Sequence, residues 1–247
     1  MRRLLVVIAV TLLVPAARGQ SCHDASAEGS VAWVPVELLQ RPVELHEGVG
    51  KVHERVTTQS AEAQAFYDQG LAYLHSYVWI EAARSFHQAL RHDPKLAMAY
   101  VGLSRAYAGM YDLDAAARMS EAAAKLADGV SARERAHIEL RALRVASAAA
   151  PKDLEKLAAY RARLDRELSR HYDDLELWLL RGNIEDRVGA MGIGQYGNVS
   201  SIPFYEHVLS VDPEHFGAHH FLIHSFEGAN RIDDALKHGA KYAAAAV

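Results

Sequence analysis

An internal repeat constrains the fold of this 247-residue chain more than any other feature of its sequence. Residues 65 to 94, AFYDQGLAYLHSYVWIEAARSFHQALRHDP, contain two segments of helical periodicity, with Gly70 in the first, Ala82 in the second and Pro94 at the end. The pattern recurs 34 residues further on, where Tyr100, Tyr107, Ala116 and Ala123 correspond to Phe66, Tyr73, Ala82 and Ala89. A repeat of this length predicts stacked pairs of helices, with small residues where two helices cross closely.

A third helix pair is predicted from Ser131 to about Arg170, although it lacks the repeat signature. Its first helix should begin at Ser131, because Ser131-Ala-Arg-Glu134 has the spacing of a capping box. Its second helix should begin at Pro151, since proline is favoured in the first position of a helix.

Two more units complete the repeat array. The fourth begins near Leu175 and includes Gly182, and the stretch MGIGQYGNVSS lengthens the turn between its two helices. This glycine-rich stretch is predicted to be a loop, and a phosphate-binding loop is disfavoured because no Lys-Ser/Thr pair follows the glycines. The fifth unit follows Pro213 and places His219 in the core as a hydrogen-bonded residue.

The first unit resembles the tetratricopeptide repeat (TPR), and three stretches, residues 53–109, 131–140 and 204–236, are similar to a family of exported bacterial TPR proteins. Repeat and resemblance together predict an all-α, right-handed TPR-like superhelix of about five helix pairs over residues 61–247. In that family the chain usually continues into a further histidine-bearing segment. The resemblance therefore implies that this chain is incomplete at its C-terminus.

Two segments are predicted before the repeats. Residues 1–19 have two arginines directly after Met1, then an apolar run and then small residues, which is typical of a secretory signal peptide. An uncleaved anchor and lipidation at Cys22 are the alternatives, but the apolar run is short for a membrane span and the lipobox pattern is not met. Residues 20–60 are expected to form an extended leader packed along the first helices. The protein is expected to be exported, to the periplasm or beyond the cell.

Charge and cysteine content exclude some classes of function. The formal net charge is −4, and it becomes −7 when the three arginines of residues 1–19 are removed. An acidic exported chain is a poor candidate for nucleic-acid binding. Because Cys22 is the single cysteine, the chain has no internal disulfide and must fold by burying its core.

In a TPR-like superhelix the first helix of each pair lines a concave groove. Fixed offsets from the small crossing residue therefore predict which side chains face a protein or peptide partner. These predicted groove residues are Tyr67, Leu71, Leu74 and His75 in the first unit, Val101 and Arg105 in the second, and Asn183 and Asp186 in the fourth. The groove lacks the lysine and asparagine set with which some TPR domains bind a peptide C-terminus, so that use is disfavoured.

The same offsets place His220, His224 and Glu227 of the fifth unit on one face of a helix. Two imidazoles four positions apart with a nearby carboxylate are typical of a metal site, and zinc or copper suits them better than calcium or magnesium. His75 is a distant candidate for a fourth ligand. A polar groove lining without metal is the alternative, and the HExxH pattern of metalloproteases is absent from the sequence.

The leading functional prediction is a non-enzymatic scaffold or binding module that presents its groove to a protein or peptide. It depends on the repeat architecture and on the lack of an evident set of nucleophile, base and orienting residue. A divalent-metal-binding protein is the alternative. A metal-dependent hydrolase is a further one, because three ligands and an open position could activate water.

Overall fold

The computed structural model describes residues 34–185 and 199–245, and within these ranges the chain is helical, without β-strands. The all-α prediction is therefore confirmed for this part of the chain. Its eleven α-helices are, in chain order, α1 Val36–Leu39, α2 Ala61–His75, α3 Trp79–His92, α4 Ala97–Gly109, α5 Leu113–Ala124, α6 Ala132–Ala148, α7 Leu154–Arg170, α8 Leu175–Glu185, α9 Ile202–Val211, α10 Phe216–Gly228 and α11 Ile232–Ala245. Short 3₁₀ turns, Ala127–Gly129 and Val199–Ser201, precede α6 and α9.

After α1 the helices pack as adjacent pairs, α2 with α3, α4 with α5, α6 with α7, α8 with α9, and α10 with α11. Glycines permit the closest approaches. The fully buried Phe86 ring of α3 lies between Gly70 of α2 and Gly102 of α4, and a Cβ at Gly102 would stand 2.4 Å from it. Gly182 of α8 is similarly covered by Tyr205 of α9, at 2.3 Å. Close packing of aromatic rings on bare backbone therefore explains the small residues of the repeat.

Side-chain caps determine where helices of the third pair begin. The capping box predicted at Ser131 is confirmed, since its hydroxyl accepts the backbone N–H of Glu134 and the Glu134 carboxylate accepts the N–H of Ser131. The prediction for Pro151 is wrong, because α7 begins at Leu154. The preceding Asp153 accepts two backbone N–H groups of the first turn, and satisfying these donors fixes the helix start more strongly than the preset backbone of a proline.

The last helix pair returns to the first. Tyr77, in the turn after α2, stacks on the Phe221 ring of α10 with ring centroids 5.5 Å apart. The Tyr242 hydroxyl of α11 donates to Ser76 Oγ at 2.9 Å. In a solenoid whose repeats touch only their neighbours these elements would not meet. The last helix pair therefore packs against the end of α2.

Residues 34–60 run along the first helices and, apart from α1, form neither helix nor strand. Leu39 of α1 is fully buried. The Gln69 side chain of α2 accepts the backbone N–H of His46 at 2.7 Å and donates to the Glu44 carbonyl oxygen at 3.1 Å. Further along, the backbone N–H of Thr57 donates to a carboxylate oxygen of α6 at 2.7 Å. This segment therefore joins the first and third pairs.

No helix among the described residues is both long and apolar enough to cross a membrane. The predicted signal peptide, Cys22, Asp186 and most of the MGIGQYGNVSS stretch lie outside the residues that the structure describes.

Candidate functional site

Two adjoining spaces lie between the helix pairs. The larger, which we call the groove, has a volume of about 1150 Å³ and is lined mainly by the first helices of the pairs. The smaller, which we call the inner cavity, has a volume of about 50 Å³ and reaches Glu54 of the leader. Both spaces are lined by Leu74, Arg105, Arg141, Arg144, Tyr160 and Leu180.

Most of the predicted groove residues lie against these spaces. Tyr67, Leu71 and Val101 line the inner cavity, Asn183 lines the groove, and Leu74 and Arg105 line both. The apolar members of this set are at most 5 % exposed, so they form the buried lining of the two spaces beneath the polar side chains of Arg105 and Asn183.

His75 differs from the expectation because it lines neither space. Its side chain is fully buried under α10, where the backbone of Gly217 is so close that a Cβ there would stand 2.8 Å from the His75 ring. The return of the last helix pair to α2 therefore removes His75 from the groove.

Three arginines, Arg105, Arg141 and Arg144, stand on the wall that the two spaces share. Arg141 donates from Nε to Ser104 Oγ at 2.6 Å and from Nη2 to the Ser104 carbonyl oxygen at 2.7 Å. Burial, together with the positive charges of Arg144 and Arg105, lowers the pKa of Arg141 to about 9. Only Arg105 was predicted, because Arg141 and Arg144 belong to the third pair, which lacks the repeat signature from which the offsets are counted.

An ion network borders the inner cavity. Arg133 donates from Nε to Asp174 Oδ2 at 2.6 Å and from Nη2 to Glu54 Oε2 at 2.8 Å, and His137 Nε2 lies 2.8 Å from the same Asp174 oxygen. Burial alone would raise the pKa of Asp174, but the hydrogen bonds and charges of His137 and Arg133 hold it well below its usual value. Burial and the negative charge of Glu176 raise the pKa of Glu54 to about 7, because they outweigh Arg133. Glu54 therefore gains and loses its proton near neutral pH.

One buried cluster has the composition of a metal site. His75, Glu176 and His215 each place one ligand atom within 4.8 Å of the other two. His75 Nε2 contacts Glu176 Oε1, and Arg105 donates to the other carboxylate oxygen at 3.0 Å. Burial alone would raise the pKa of Glu176, but the charges of His75 and Arg105 hold it well below the usual range. Burial and the charge of His75 lower the pKa of His215 to about 4, so this ring is neutral at physiological pH.

The ligand types of this cluster fit zinc, which two histidines and a glutamate commonly hold. Three features of the observed arrangement oppose a metal ion. The Arg105 guanidinium already neutralises Glu176, and His215 Nδ1 accepts the backbone N–H of Ala218 at 3.2 Å, which leaves the proton of the neutral ring on Nε2. His75 Nδ1 is buried without a hydrogen-bond partner in the described chain, whereas a metal-bound imidazole normally donates from its second nitrogen. As arranged, the cluster is a buried ion pair between helices.

The residues predicted to bind metal form a chain of contacts. His220 Nδ1 donates to the His75 carbonyl oxygen at 2.6 Å, and His220 Nε2 lies 3.1 Å from His224 Nε2. Glu227 Oε2 lies 3.1 Å from His224 Nδ1, on the other side of that ring. Since the two nitrogens of an imidazole point in different directions, these positions do not bring all three residues to one ion. Burial lowers the pKa of His220 to about 4, so His220 is neutral at physiological pH.

His219, predicted to be a hydrogen-bonded core residue, is 5 % exposed and its Nε2 lies 3.0 Å from the Pro213 carbonyl oxygen, which confirms the prediction.

Neither the protein-family models nor the curated proteins with which the sequence was compared gave a match. The function proposed below therefore depends on the geometry of the groove.

Proposed function

We propose that the protein is an exported, TPR-like binding module whose groove holds a segment of a partner protein. The adjacent helix pairs and the glycines at their crossings support the TPR-like architecture. The signal-peptide pattern of residues 1–19 supports export.

The groove is the observation that carries the proposal. Its volume of about 1150 Å³ exceeds the range of roughly 300–1,000 Å³ that is usual for small-molecule sites, so it has room for several residues of an extended chain. Tyr111 and Leu113 line it and are 55 % and 43 % exposed, which leaves apolar area for a partner to cover. The arginines of the shared wall add hydrogen-bond donors to this apolar surface. Aromatic, aliphatic and arginine side chains of this kind supply most of the affinity at protein interfaces.

A matched pair of variants tests the role of the groove. Leu113 is the first residue of α5 and lines the groove, whereas Leu154 is the first residue of α7 and does not. Each follows an aspartate N-cap, so Leu113→Ser and Leu154→Ser place the same change in the same local structure. Peptides selected from a random displayed library on the immobilised full chain serve as probes, with affinities measured by fluorescence anisotropy.

We expect the selected peptides to bind the Leu113→Ser variant about fivefold to thirtyfold more weakly than wild type, because roughly 1–2 kcal/mol of apolar burial is lost. The Leu154→Ser variant should retain wild-type affinity. A library that yields no binding peptide, or peptides that bind both variants equally, would contradict binding in the groove.

A divalent-metal-binding protein is a second candidate, favoured by the approach of His75, Glu176 and His215 to one another. Calorimetry near neutral pH measures zinc binding to the full wild-type chain and to two variants, His215→Asn and His224→Ala. Asparagine at position 215 retains a good N-cap residue for α10. Binding lost only in His215→Asn supports the buried cluster, and binding lost only in His224→Ala supports the pair of His220 and His224. Wild type that releases no heat would reject metal binding.

A further inference from the structure

Arg141 differs from Arg105 and Arg133 in having no carboxylate partner among the described residues. Its hydrogen bonds go to the hydroxyl and the carbonyl oxygen of Ser104, which are neutral acceptors. The two charged residues that act most strongly on it, Arg144 and Arg105, are both positive. A half-buried cation that is surrounded in this way is unfavourable unless an anion compensates it.

The carboxylates that line the inner cavity have other partners. Glu176 is bound by His75 and Arg105, and Glu54 by Arg133. Glu134 accepts hydrogen bonds from Thr57 and Ser131 at the start of α6. None of these described carboxylates is therefore available to Arg141.

The space beside Arg141 has the size of a small anionic group. The inner cavity has a volume of about 50 Å³, and a cavity needs roughly 10–15 Å³ to hold one water, so about four water-sized atoms fit. Arg141 lines both the cavity and the groove, and its Nη1 makes no hydrogen bond to the described residues. A guanidinium presents paired N–H groups that match the oxygens of a carboxylate or a phosphate.

We propose that the inner cavity is an oxyanion subsite of the groove, in which Arg141 binds an acidic side chain of the segment held there and Arg105 adds positive charge. The subsite rests on the proposed function, because it is the groove that brings such a segment to the cavity. The ligand group is a carboxylate of aspartate or glutamate, or the phosphate of a phosphorylated residue, since both offer oxygens that accept hydrogen bonds from the paired N–H groups of the guanidinium. Arg141 is half-buried among the surrounding helices, and the low local dielectric constant of such a site strengthens a charged hydrogen bond.

The first test uses inorganic phosphate alone, so it does not depend on a peptide. Phosphate is titrated by calorimetry into the wild-type chain, Arg141→Met and Arg118→Met at constant ionic strength. Arg118 is an exposed arginine of α5 that lines neither space, so its variant controls for the loss of one positive charge. We expect Arg141→Met to weaken phosphate binding by about tenfold or more, and Arg118→Met to leave it unchanged.

The second test uses peptides selected on the groove, each made with glutamate, glutamine or phosphoserine at its acidic position. Wild type should prefer the glutamate or the phosphoserine form over the glutamine form by about tenfold, and Arg141→Met should remove that preference. The preferred acid identifies the source of the oxyanion. If Arg141→Met does not unfold cooperatively, Arg141→Lys replaces it, because lysine keeps the positive charge but lacks the paired N–H groups of the guanidinium. Arg141→Lys should show a preference for the acidic peptide between those of wild type and of a variant without the charge.

The outcomes separate the subsite from the proposed function. Peptides that bind the groove with no preference for the acid, together with phosphate that binds wild type and Arg141→Met equally, overturn the subsite and leave the groove function intact. Phosphate binding that requires Arg141, in a protein that selects no peptide, supports the anion site and removes the protein partner. Absence of both phosphate binding and acid preference overturns the subsite.

Discussion

Replacement of Glu54 by glutamine should make the protein more stable, and the gain should grow with pH. Glu54 contacts Arg133, yet burial and the charge of Glu176 raise its pKa from 4.5 to about 7. The folded protein therefore binds this proton more tightly than the unfolded chain does. Between about pH 4.5 and pH 7 the unfolded chain has lost the proton while the folded chain keeps it, so stability falls as pH rises through this window.

The size of the stability change follows from the shift in the pKa of Glu54. A change of about 2.5 pKa units corresponds to about 3 kcal/mol, which is the upper limit of the stability lost by pH 7. The Glu54 side chain is 23 % exposed, so solvent screens part of this effect. Glutamine has nearly the same shape but no charge, and Arg133 keeps its contact with Asp174. We therefore expect Glu54→Gln to be about 1–2 kcal/mol more stable than wild type near pH 8 and nearly equal to it near pH 4.5.

Urea unfolding of wild type and Glu54→Gln, followed by circular dichroism at several pH values, gives this difference directly. The titration of the buried histidines affects both proteins equally and cancels in the difference. Glu47→Gln, at an exposed glutamate of the same leader, provides the matched control for removal of one carboxylate. A Glu54→Gln variant that becomes less stable than wild type as pH rises would refute the reasoning, because it would show that the pairing with Arg133 outweighs burial.

Two further perturbations have expected outcomes. Gly102→Ala should destabilise the protein by about 1–3 kcal/mol, because its Cβ would overlap the Phe86 ring. In a double-mutant cycle, Phe86→Leu should recover part of this loss of stability. Purely additive effects of the two substitutions would contradict the close contact. Burial lowers the pKa of His220 to about 4, so the unfolded chain takes up its proton first and stability is lost as pH falls below about 6.5. His220→Gln should lose less stability than wild type between about pH 6.5 and pH 4 in the same unfolding assay, and an unchanged acid dependence would contradict the burial of that ring in neutral form.

The helices were predictable from the sequence because their signals are local. The small residues of the repeat marked the crossings at Gly70 and Gly182, and the serine and glutamate of the capping box marked the start of α6. The start of α7 was mispredicted because two local signals, Pro151 and Asp153, stand close together and the side-chain cap prevails. Such local rules give no information on which distant helix pairs pack against each other, as the last pair does against α2.

That return of α10 to α2 explains why the candidate site was only partly predicted. Offsets counted within one repeat place His75 in the groove, but His75 is covered by a helix that follows it by more than 100 residues in the chain. The same closure brings Glu176 and His215 to His75, although no spacing in the sequence connects them. Charged residues that meet in this way must pair or titrate, and three responses are visible. Glu176 stays ionised beside Arg105, Glu54 keeps a proton to about pH 7, and Arg141 has hydrogen bonds only to neutral acceptors. Of the three, Arg141 alone lines both the groove and the inner cavity. The residue that sequence offsets could not reach is therefore the one on which the binding chemistry should depend.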